Sequence, residues 1–484
     1  MTRPLERANY RLTFFVLLLG VSSFALLQSL VIPALPTIQA SMHTSQNTVT
    51  WVVTAYLLSA SIFTPIMGRI GDIVGKERML VLTLAALAVG TLVAGLSHSI
   101  LVLIIGRAVQ GVGGGVLPLS FGIIRDEFPP GKVAGGVGNI AAMTAVGSGI
   151  GLVIAGPIVS HLDYHWLFWI PLVIIVIAAV CAHLLVPESP VRTKGRVDLK
   201  AAALLSAWLV ALLLGVSEGP AWGWGSSKVL GLIAAALVLI AAWIRVESKS
   251  SQPLIDMKMM RVPAVWTNNL VAFLFGVGMY SVFAFLPEFL QTPSSAGYGF
   301  GASMVQSGVF LLPQTAMMFI LGLLTGRVAA RIGSKFAVLI GSVISCSGYA
   351  MLALAHSHRW EIYVVGSLLG VGMGLAFSAM SNLIVQAVPA SQTGVASGMN
   401  ANIRTIGGAV GAAVMSSIVT SKLLHNGLPA ESGYTNGFLF VAIVTLFAII
   451  AALFIPHSKE APDGEVHMAH AELAMVPGGT ITEG

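Results

Sequence analysis

Fourteen long apolar runs follow one another along this sequence, separated by short polar connections. An α-helix needs about 20 mostly apolar residues to cross the hydrocarbon core of a bilayer. Lipid offers no hydrogen-bond partner to an open backbone, so runs of this length predict helices. The predicted fold class is an all-α polytopic membrane protein with spans 12–35, 49–68, 79–97, 99–123, 134–158, 166–186, 199–217, 227–246, 264–289, 303–326, 336–355, 361–387, 394–421 and 435–455.

The composition excludes an ordinary soluble protein. Charged residues make up 9% of the chain and apolar residues 56%, whereas charged residues make up about a quarter of a soluble domain. The net charge of +6 comes from short basic clusters between the apolar runs, which is the pattern of cytoplasmic membrane loops. No nucleic-acid-binding motif accompanies these clusters, so nucleic acid is not an expected partner.

The sequence lacks the motifs of the common energy-coupling and catalytic sites. No phosphate-binding GxxxxGK[ST] sequence is present, so ATP is not expected as an energy source. No GxSxG or HExxH sequence points to a membrane-bound enzyme. The segment 161–165 contains two histidines and an aspartate, but its position between two apolar runs indicates a connector. We therefore expect no cofactor, no metal site and no enzymatic activity.

The basic residues predict the orientation of the chain. An even number of helices places both termini on one side of the membrane. Twenty of the 25 Lys and Arg residues lie in the loops of that side, three lie in the opposite loops, and Arg107 and Arg404 lie inside predicted helices. Because cytoplasmic loops carry the excess of Lys and Arg, both termini are predicted to be cytoplasmic.

Internal repeats indicate two similar halves. The segment 68–75 recurs as 326–333, with glycine, arginine and glycine at matching positions, and 111–115 recurs as 370–374. Transporters often contain such repeats. The predicted organisation is an N-terminal six-helix half (1–186), a basic connector with two inserted helices (187–262), a C-terminal six-helix half (263–456) and a disordered cytoplasmic tail (457–484).

The segment 68–78 reads GRIGDIVGKER, with glycines, an acid and bases at fixed positions between two apolar runs. It resembles the signature loop of the major facilitator superfamily. In that family the acid contacts the helix equivalent to the one that begins near Thr393 here, and the contact stabilises one conformational state. The second copy has Ala330 at the acid position. The resemblance implies a cytoplasmic gate formed by Gly68, Arg69, Asp72, Gly75, Lys76 and Arg78.

The fourth predicted helix contains GRAVQGVG at 106–113, which resembles the second signature of the same family. A charge at mid-membrane costs about 2.5–3.5 kcal/mol on insertion scales, so Arg107 is a functional candidate. The alternative is an arginine that extends to the interface. The resemblance implies a role for Arg107 in proton coupling.

The fifth predicted helix contains GSGIGLVIAG at 147–156, which resembles the antiporter signature of the family. Its glycines permit close helix packing. The signature proline is missing, which weakens the inference of antiport, and Pro157 is a candidate to supply the bend. The residues taken from this helix are Gly147, Gly151, Gly156 and Pro157.

Other segments resemble the fourteen-helix drug:proton antiporter branch of the superfamily. They are WVVTAY at 51–56, YHWLF at 164–168 and the two inserted helices, and the resemblance covers about residues 10–456. Members of that branch often have an acid in the first helix, several residues before an Ala-Leu-Pro sequence; this chain has that sequence at 34–36, but the preceding stretch at 26–29 reads LLQS. No acid lies deep in a predicted helix, so Glu288 is the candidate proton carrier, with a plain interfacial carboxylate as the alternative.

Polar side chains inside the apolar runs are candidates for a substrate cavity. Arg404 stands out, because it could contact an anionic group of a substrate or lipid, or pair with a carboxylate across the bundle. The cavity candidates are Gln28, Tyr56, Gln110, Asn268, Tyr280, Gln314 and Arg404.

The predicted function is secondary active transport by a monomer in the bacterial inner membrane, with protons, a small-molecule substrate and lipids as partners. Export of lipophilic cationic or neutral compounds, driven by protons, is the leading hypothesis. The first alternative is a transporter of one defined metabolite, an anion if Arg404 binds it. The second alternative is a membrane sensor that does not transport.

Overall fold

Fourteen long helices make up the bundle of the computed structural model, which describes residues 10–189, 197–389, 392–425 and 427–456. The predicted tail, 457–484, lies outside the described residues. The helices are α1 (Tyr10–Ser41), α2 (Gln46–Val74), α3 (Lys76–Gly95), α4 (Ile100–Glu127), α5 (Pro130–His161), α6 (Trp166–Leu185), α7 (Leu199–Trp222), α8 (Ser227–Lys249), α9 (Pro263–Gln291), α10 (Met304–Ile332), α11 (Ser334–Leu354), α12 (Arg359–Ala387), α13 (Thr393–Val419) and α14 (Glu431–Leu453).

All fourteen helices are long and apolar enough to cross a membrane, which confirms the predicted number. Short 3-10 turns interrupt α1 at Ile32–Ala34 and α4 at Val112–Gly115. No β-strand occurs in the described part of the chain. The protein is therefore an integral membrane protein of the predicted all-α class.

The prediction of a loop at 68–78 is wrong. Helix α2 continues to Val74, Gly75 alone breaks the backbone with a φ of 131°, and α3 begins at Lys76. The repeat has the same geometry, because α10 ends at Ile332 and Gly333 has a φ of 84°. Only glycine adopts such a φ without strain. The predicted spans ended at the first arginine, whereas a helix can continue beyond the apolar core.

The buried apolar side chains form three clusters. One lies within α1–α6, a second mainly within α9–α14, and a third joins α7 and α8 to parts of α9, α12 and α13. We use "N-half" for α1–α6 and "C-half" for α9–α14, following the predicted division of the chain.

Helices α5 and α10 form the most extensive contact between the halves. A Cβ added at Gly156 would lie 2.8 Å from the carbonyl oxygen of Met304, and one at Gly308 would lie 2.7 Å from that of Val153. Both distances are too short for a side chain, so the backbones approach as closely as glycine permits.

A second contact closes the halves at the end of the bundle that contains residues 68–78, which we call the signature end. There α13 lies against α4, since a Cβ at Gly398 would be 2.9 Å from the Cβ of Pro118. Farther along α13, the Asn402 amide donates to the carbonyl of Ser61 in α2 at 2.9 Å. The two contacts hold the halves together beside their common interior.

The inserted helix α7 packs against both α2 and α13. The Trp51 indole donates to the Glu218 carboxylate at 2.9 Å, and the Trp224 indole donates to the Ser417 hydroxyl at 2.6 Å. Glu218 lies within α7, because this helix continues to Trp222 rather than ending at the predicted residue 217. The predicted spans therefore missed an acid inside a helix.

Candidate functional site

A cavity lies between the two halves, and each half supplies seven of its lining residues. The free space is about 30 Å³, which is room for only one or two water molecules. The N-half residues are Phe24, Gln28, Ala60, Thr64, Leu117, Thr144 and Ser148, and the C-half residues are Met279, Tyr280, Phe377, Ala401, Asn402, Arg404 and Thr405. The halves are thus drawn closely around a shared, partly polar space.

Arg404 contributes the single formal charge on this lining. Its side chain comes from α13 and is largely buried, and its guanidinium carbon lies 4.6 Å from the centre of the Phe377 ring. None of the ion pairs between described residues involves Arg404, and no Asp or Glu is among the lining residues. The cavity wall therefore carries a positive charge that no carboxylate within the described residues neutralises.

One hydrogen bond crosses the cavity wall from the N-half to the C-half. The Gln28 amide, in α1, donates to the Tyr280 hydroxyl, in α9, at 2.8 Å. Three of the seven predicted cavity residues, Gln28, Tyr280 and Arg404, therefore meet in this space.

Arg107 is completely buried in the N-half, behind the cavity wall. Its Nε donates to the carbonyl of Val52 at 2.9 Å, and its Nη1 donates to the carbonyl of Leu27 at 3.0 Å and to Gln110 at 2.7 Å. The guanidinium carbon also lies 4.1 Å from the centre of the Tyr56 ring. Arg107 does not extend to the interface; it connects α4 to α1 and α2.

Two predicted cavity residues belong to this buried cluster instead of the cavity. Gln110 donates to the Thr91 hydroxyl at 3.0 Å, and Tyr56 donates to the carbonyl of Phe24 at 2.9 Å. Phe24 itself lines the cavity and stacks on Tyr56 with ring centres 5.7 Å apart. Tyr56 and Gln110 thus lie one layer behind the wall.

Asn268 and Gln314 also do not line the cavity. The Asn268 amide donates to the carbonyl of Met380 at 2.9 Å, and the Gln314 amide contacts the sulfur of Met373 at 3.7 Å. Both contacts lie between helices of the C-half. A polar side chain inside a membrane bundle often bonds to a neighbouring helix, and both residues do so here.

A buried ion-pair network occupies the signature end of the N-half. The Lys76 ammonium lies 2.8 Å from the Asp126 carboxylate and 3.4 Å from the Asp72 carboxylate, and Arg125 lies 2.5 Å from Asp126. Ser189 also donates to Asp126. The sequence prediction missed Asp126 as a partner, although an acid at the end of α4 faces the basic signature segment.

The predicted gate residues differ in burial and in their contacts. Gly68 packs against Pro118 in α4, Lys76 is buried, and Arg78 is largely exposed with its Nε 3.6 Å from Glu188. Asp72 pairs with Lys76, and within the described residues its polar contacts do not include the helix that begins at Thr393. The Nε of Arg69 is buried without a hydrogen bond in the described part of the chain.

The antiporter-like residues place α5 between α1 and α10. A Cβ at Gly147 would lie 2.9 Å from that of Ala25, and one at Gly151 would lie 2.9 Å from the carbonyl of Leu26. Gly156 faces α10, and Pro157 lies inside the continuous helix. The glycines thus explain how α5 contacts both halves.

Glu288, the predicted proton carrier, lies outside the cavity. It is an exposed residue near the end of α9, and its carboxylate accepts a hydrogen bond from Tyr434 at 3.0 Å. It lies eight residues, or roughly 12 Å along the helix, from Tyr280. No group of three His, Cys, Asp or Glu side chains suited to a metal ion occurs among the described residues.

Comparison with known proteins places these features in a family. The profile described as the Major Facilitator Superfamily matches residues 17–412. The tetracenomycin C resistance and export protein of Streptomyces glaucescens is 28% identical over 85% of this chain and 76% of its own length. The multidrug transporter protein MdtP of Bacillus subtilis is 26% identical over 87% of this chain and 77% of its own length.

A solved structure agrees with the fold. The crystal structure of the human organic anion transporter MFSD10 superposes with a TM-score of 0.69, and it covers 92% of this chain and 99% of its own. The sequence identity is 15%, so this likeness concerns the fold alone.

Proposed function

The chain belongs to the major facilitator superfamily, and from that premise we propose that it exports lipophilic small molecules by proton-coupled alternating access. The family and the names of the relatives make it a transporter rather than an enzyme. Several relatives are named for multidrug resistance or for export of a toxic compound. Substrate, direction and coupling to protons are the parts that we propose for this chain.

The observation that carries the proposal is the cavity with seven residues from each half. Alternating access requires a site that both halves share, so that their rocking exposes it first to one side and then to the other. Phe24, Met279 and Phe377 give this site the apolar surface that a lipophilic substrate requires. Contact of α4 with α13 at the signature end would form the gate, braced by the buried pair of Lys76 and Asp126.

Arg107 is our candidate for the link between protons and gating. An arginine remains charged, so it does not carry the proton itself. It joins α4 to carbonyl groups of α1 and α2, whose Gln28 and Ala60 line the cavity. A change at the cavity would therefore reach all three helices through one side chain.

We place the protein in the bacterial plasma membrane with both termini in the cytoplasm. The bacterial relatives and the excess of basic residues in the loops on the terminal side support this placement. In this orientation the signature end faces the cytoplasm, and export would begin when α4 and α13 separate.

The test is efflux from bacterial cells that express the full chain. Cells are loaded with fluorescent lipophilic compounds that include ethidium and a pyrene carboxylate, and efflux is followed with and without a protonophore. Efflux of at least one compound that the protonophore stops, and that Arg107→Ala lowers to the level of empty cells, is the expected result. Efflux that continues at the same rate after the protonophore is added would contradict proton coupling. No efflux of any compound by correctly inserted protein would contradict export.

A further inference from the structure

The cavity between the halves has a positive electrostatic character. Arg404 is the one charged residue among the fourteen that line it, and no acid of the described chain is among them. A buried charge is costly unless it is paired. Arg404 is buried without an ion-pair partner among the described residues, and it lies where a ligand would bind.

Arg404 is held in position without being neutralised. Its guanidinium lies over the ring of Phe377, and such cation–π contact supports the group while leaving its N–H donors available. The ion pairs between described residues do not include it. A guanidinium presents its donors in a fork that matches a carboxylate or phosphate.

A second buried cation lies behind the same wall. Phe24 lines the cavity, Tyr56 stacks on Phe24, and Arg107 lies over Tyr56. The bonds of Arg107 in the described chain go to neutral carbonyl and amide oxygens, so its positive charge is not cancelled. Two guanidinium groups in a low-dielectric interior favour an anion in the cavity and disfavour a cation.

The hydrogen-bonding groups near Arg404 also suit an acceptor. The Tyr280 hydroxyl accepts the Gln28 amide, so it keeps its own hydrogen to donate. An ionised acid offers acceptors and no donors. Thr405 also lines the cavity, but its hydroxyl donates to the carbonyl of Ala401 at 3.2 Å and so already has a partner.

We propose that the cavity, once the halves separate enough to admit a ligand, binds lipophilic organic acids, with the anionic group on Arg404 and the apolar part against Phe24, Leu117 and Met279. The inference rests on the proposed function, because it takes this cavity as the transport site. It replaces the sequence-based expectation of cationic or neutral substrates.

The test measures binding to the full chain in nanodiscs of phosphatidylcholine. Three pyrene probes are compared by fluorescence anisotropy above that of empty discs: pyrenebutyrate, pyrenebutanol and a pyrenebutyl trimethylammonium. We expect the carboxylate to bind at least about tenfold more tightly than the alcohol, since charge-assisted hydrogen bonds contribute that much. The ammonium should bind most weakly.

Variants of Arg404 and Phe377 test whether these two residues cause the preference for the acid. Arg404→Gln is expected to bind the acid and the alcohol within about twofold of each other, while affinity for the alcohol stays unchanged. Phe377→Leu keeps the charge but removes the ring that positions it, and should reduce the preference by about two- to tenfold. Wild-type protein that binds the alcohol or the ammonium as tightly as the acid would overturn the proposal. So would an acid preference that survives Arg404→Gln.

A second experiment, with discs of a different lipid composition, distinguishes a free acid from a lipid headgroup as the ligand of Arg404. Discs with one quarter phosphatidylglycerol should leave the affinity for pyrenebutyrate unchanged. Loss of acid binding in these discs would show that a headgroup occupies Arg404, and would overturn the assignment to small acids. Binding is measured without transport. Protein that binds the acid but moves no compound therefore contradicts only the proposed function, and faster efflux of ethidium than of the acid contradicts only this inference.

Discussion

Two buried arginines of this protein differ in where their charge is used. Arg107, in the N-half, is surrounded by acceptors of the protein itself, including carbonyl groups of Leu27 and Val52 and the side chain of Gln110. Arg404, in the C-half, has an aromatic ring beside it and faces the cavity. Both lie in apolar helices and look alike in sequence.

The difference separates two uses of the same side chain. A guanidinium whose Nε and Nη1 donate to groups on three helices, as in Arg107, holds those helices in one arrangement. A guanidinium whose donors face a cavity can exchange partners, which is what binding and release of a ligand require. The Lys76–Asp126 pair belongs to the first kind, since both side chains are buried and paired within the N-half.

The largest effect is expected from Arg107→Ala. The change removes the side chain that connects α4 to α1 and α2, and it leaves a void in the N-half. We expect efflux to fall to background and the free energy of unfolding to decrease by about 2–5 kcal/mol, as for other large-to-small core changes. Arg107→Lys is the matched control, because it keeps the positive charge but removes the guanidinium fork. One ammonium cannot replace that fork, so efflux by the lysine variant should also fall. Equal efflux by the lysine variant and the wild type would remove the distinction between the two arginines.

Asp126→Asn should destabilise the fold by a similar amount, although it leaves the link between α4, α1 and α2 intact. It removes the nearer of the two carboxylates that pair with the Lys76 ammonium, which is 3% exposed. Removal of one partner from a buried pair costs about 3–5 kcal/mol. Arg78→Gln is the matched control, since Arg78 is 63% exposed and a surface pair contributes at most about 1 kcal/mol. Chemical denaturation of both purified variants measures the two losses, and comparable losses would contradict a buried network.

Arg404→Gln should leave the fold intact. Because Arg404 is not in an ion pair within the described chain, its removal deletes a buried charge without leaving a carboxylate unpaired. We expect the free energy of unfolding to rise or to stay within about 0.5 kcal/mol of wild type. Arg107→Gln, measured in parallel, should be clearly destabilised. If Arg404→Gln is the less stable variant, then Arg404 also holds the bundle together.

The smallest effect is expected at the inserted helix. Glu218→Gln keeps an oxygen that can accept the Trp51 indole hydrogen, so efflux should stay within about twofold of wild type. Glu218→Leu removes the acceptor and should cost about 1 kcal/mol of stability. Loss of efflux in the glutamine variant alone would instead assign a proton-carrying role to this carboxylate, which the predicted spans excluded from the membrane.

The helices could be predicted because apolar length is a local property of the sequence. Arg107 and Arg404 were recognised in the same way, as charges within apolar runs. The sequence could not predict which of the two arginines forms hydrogen bonds within the protein. The partners of Arg107 include backbone carbonyls 55 and 80 residues away in sequence, and every residue has a carbonyl.

Most of the residues that line the cavity could not be predicted from the sequence. Thr144 and Ser148 line it through small side chains that occur throughout membrane helices, whereas Asn268 and Gln314 are more polar but bond to neighbouring helices. Hydrogen bonding between helices and exposure to a cavity produce the same pattern of isolated polar residues. Only the packing of the two halves distinguishes them.

The most direct test of the account is transport of pyrenebutyrate in proteoliposomes with a pH gradient. Vesicles contain the protein with its signature end outward and have an acidic lumen. A weak acid that crosses lipid passively collects on the alkaline side, so accumulation in the acidic lumen reports coupled exchange for protons. We expect such accumulation by the wild type, its loss when the gradient is collapsed, and its loss in Arg404→Gln. Accumulation that is equal in the wild type and Arg404→Gln, or that persists without the gradient, would contradict it.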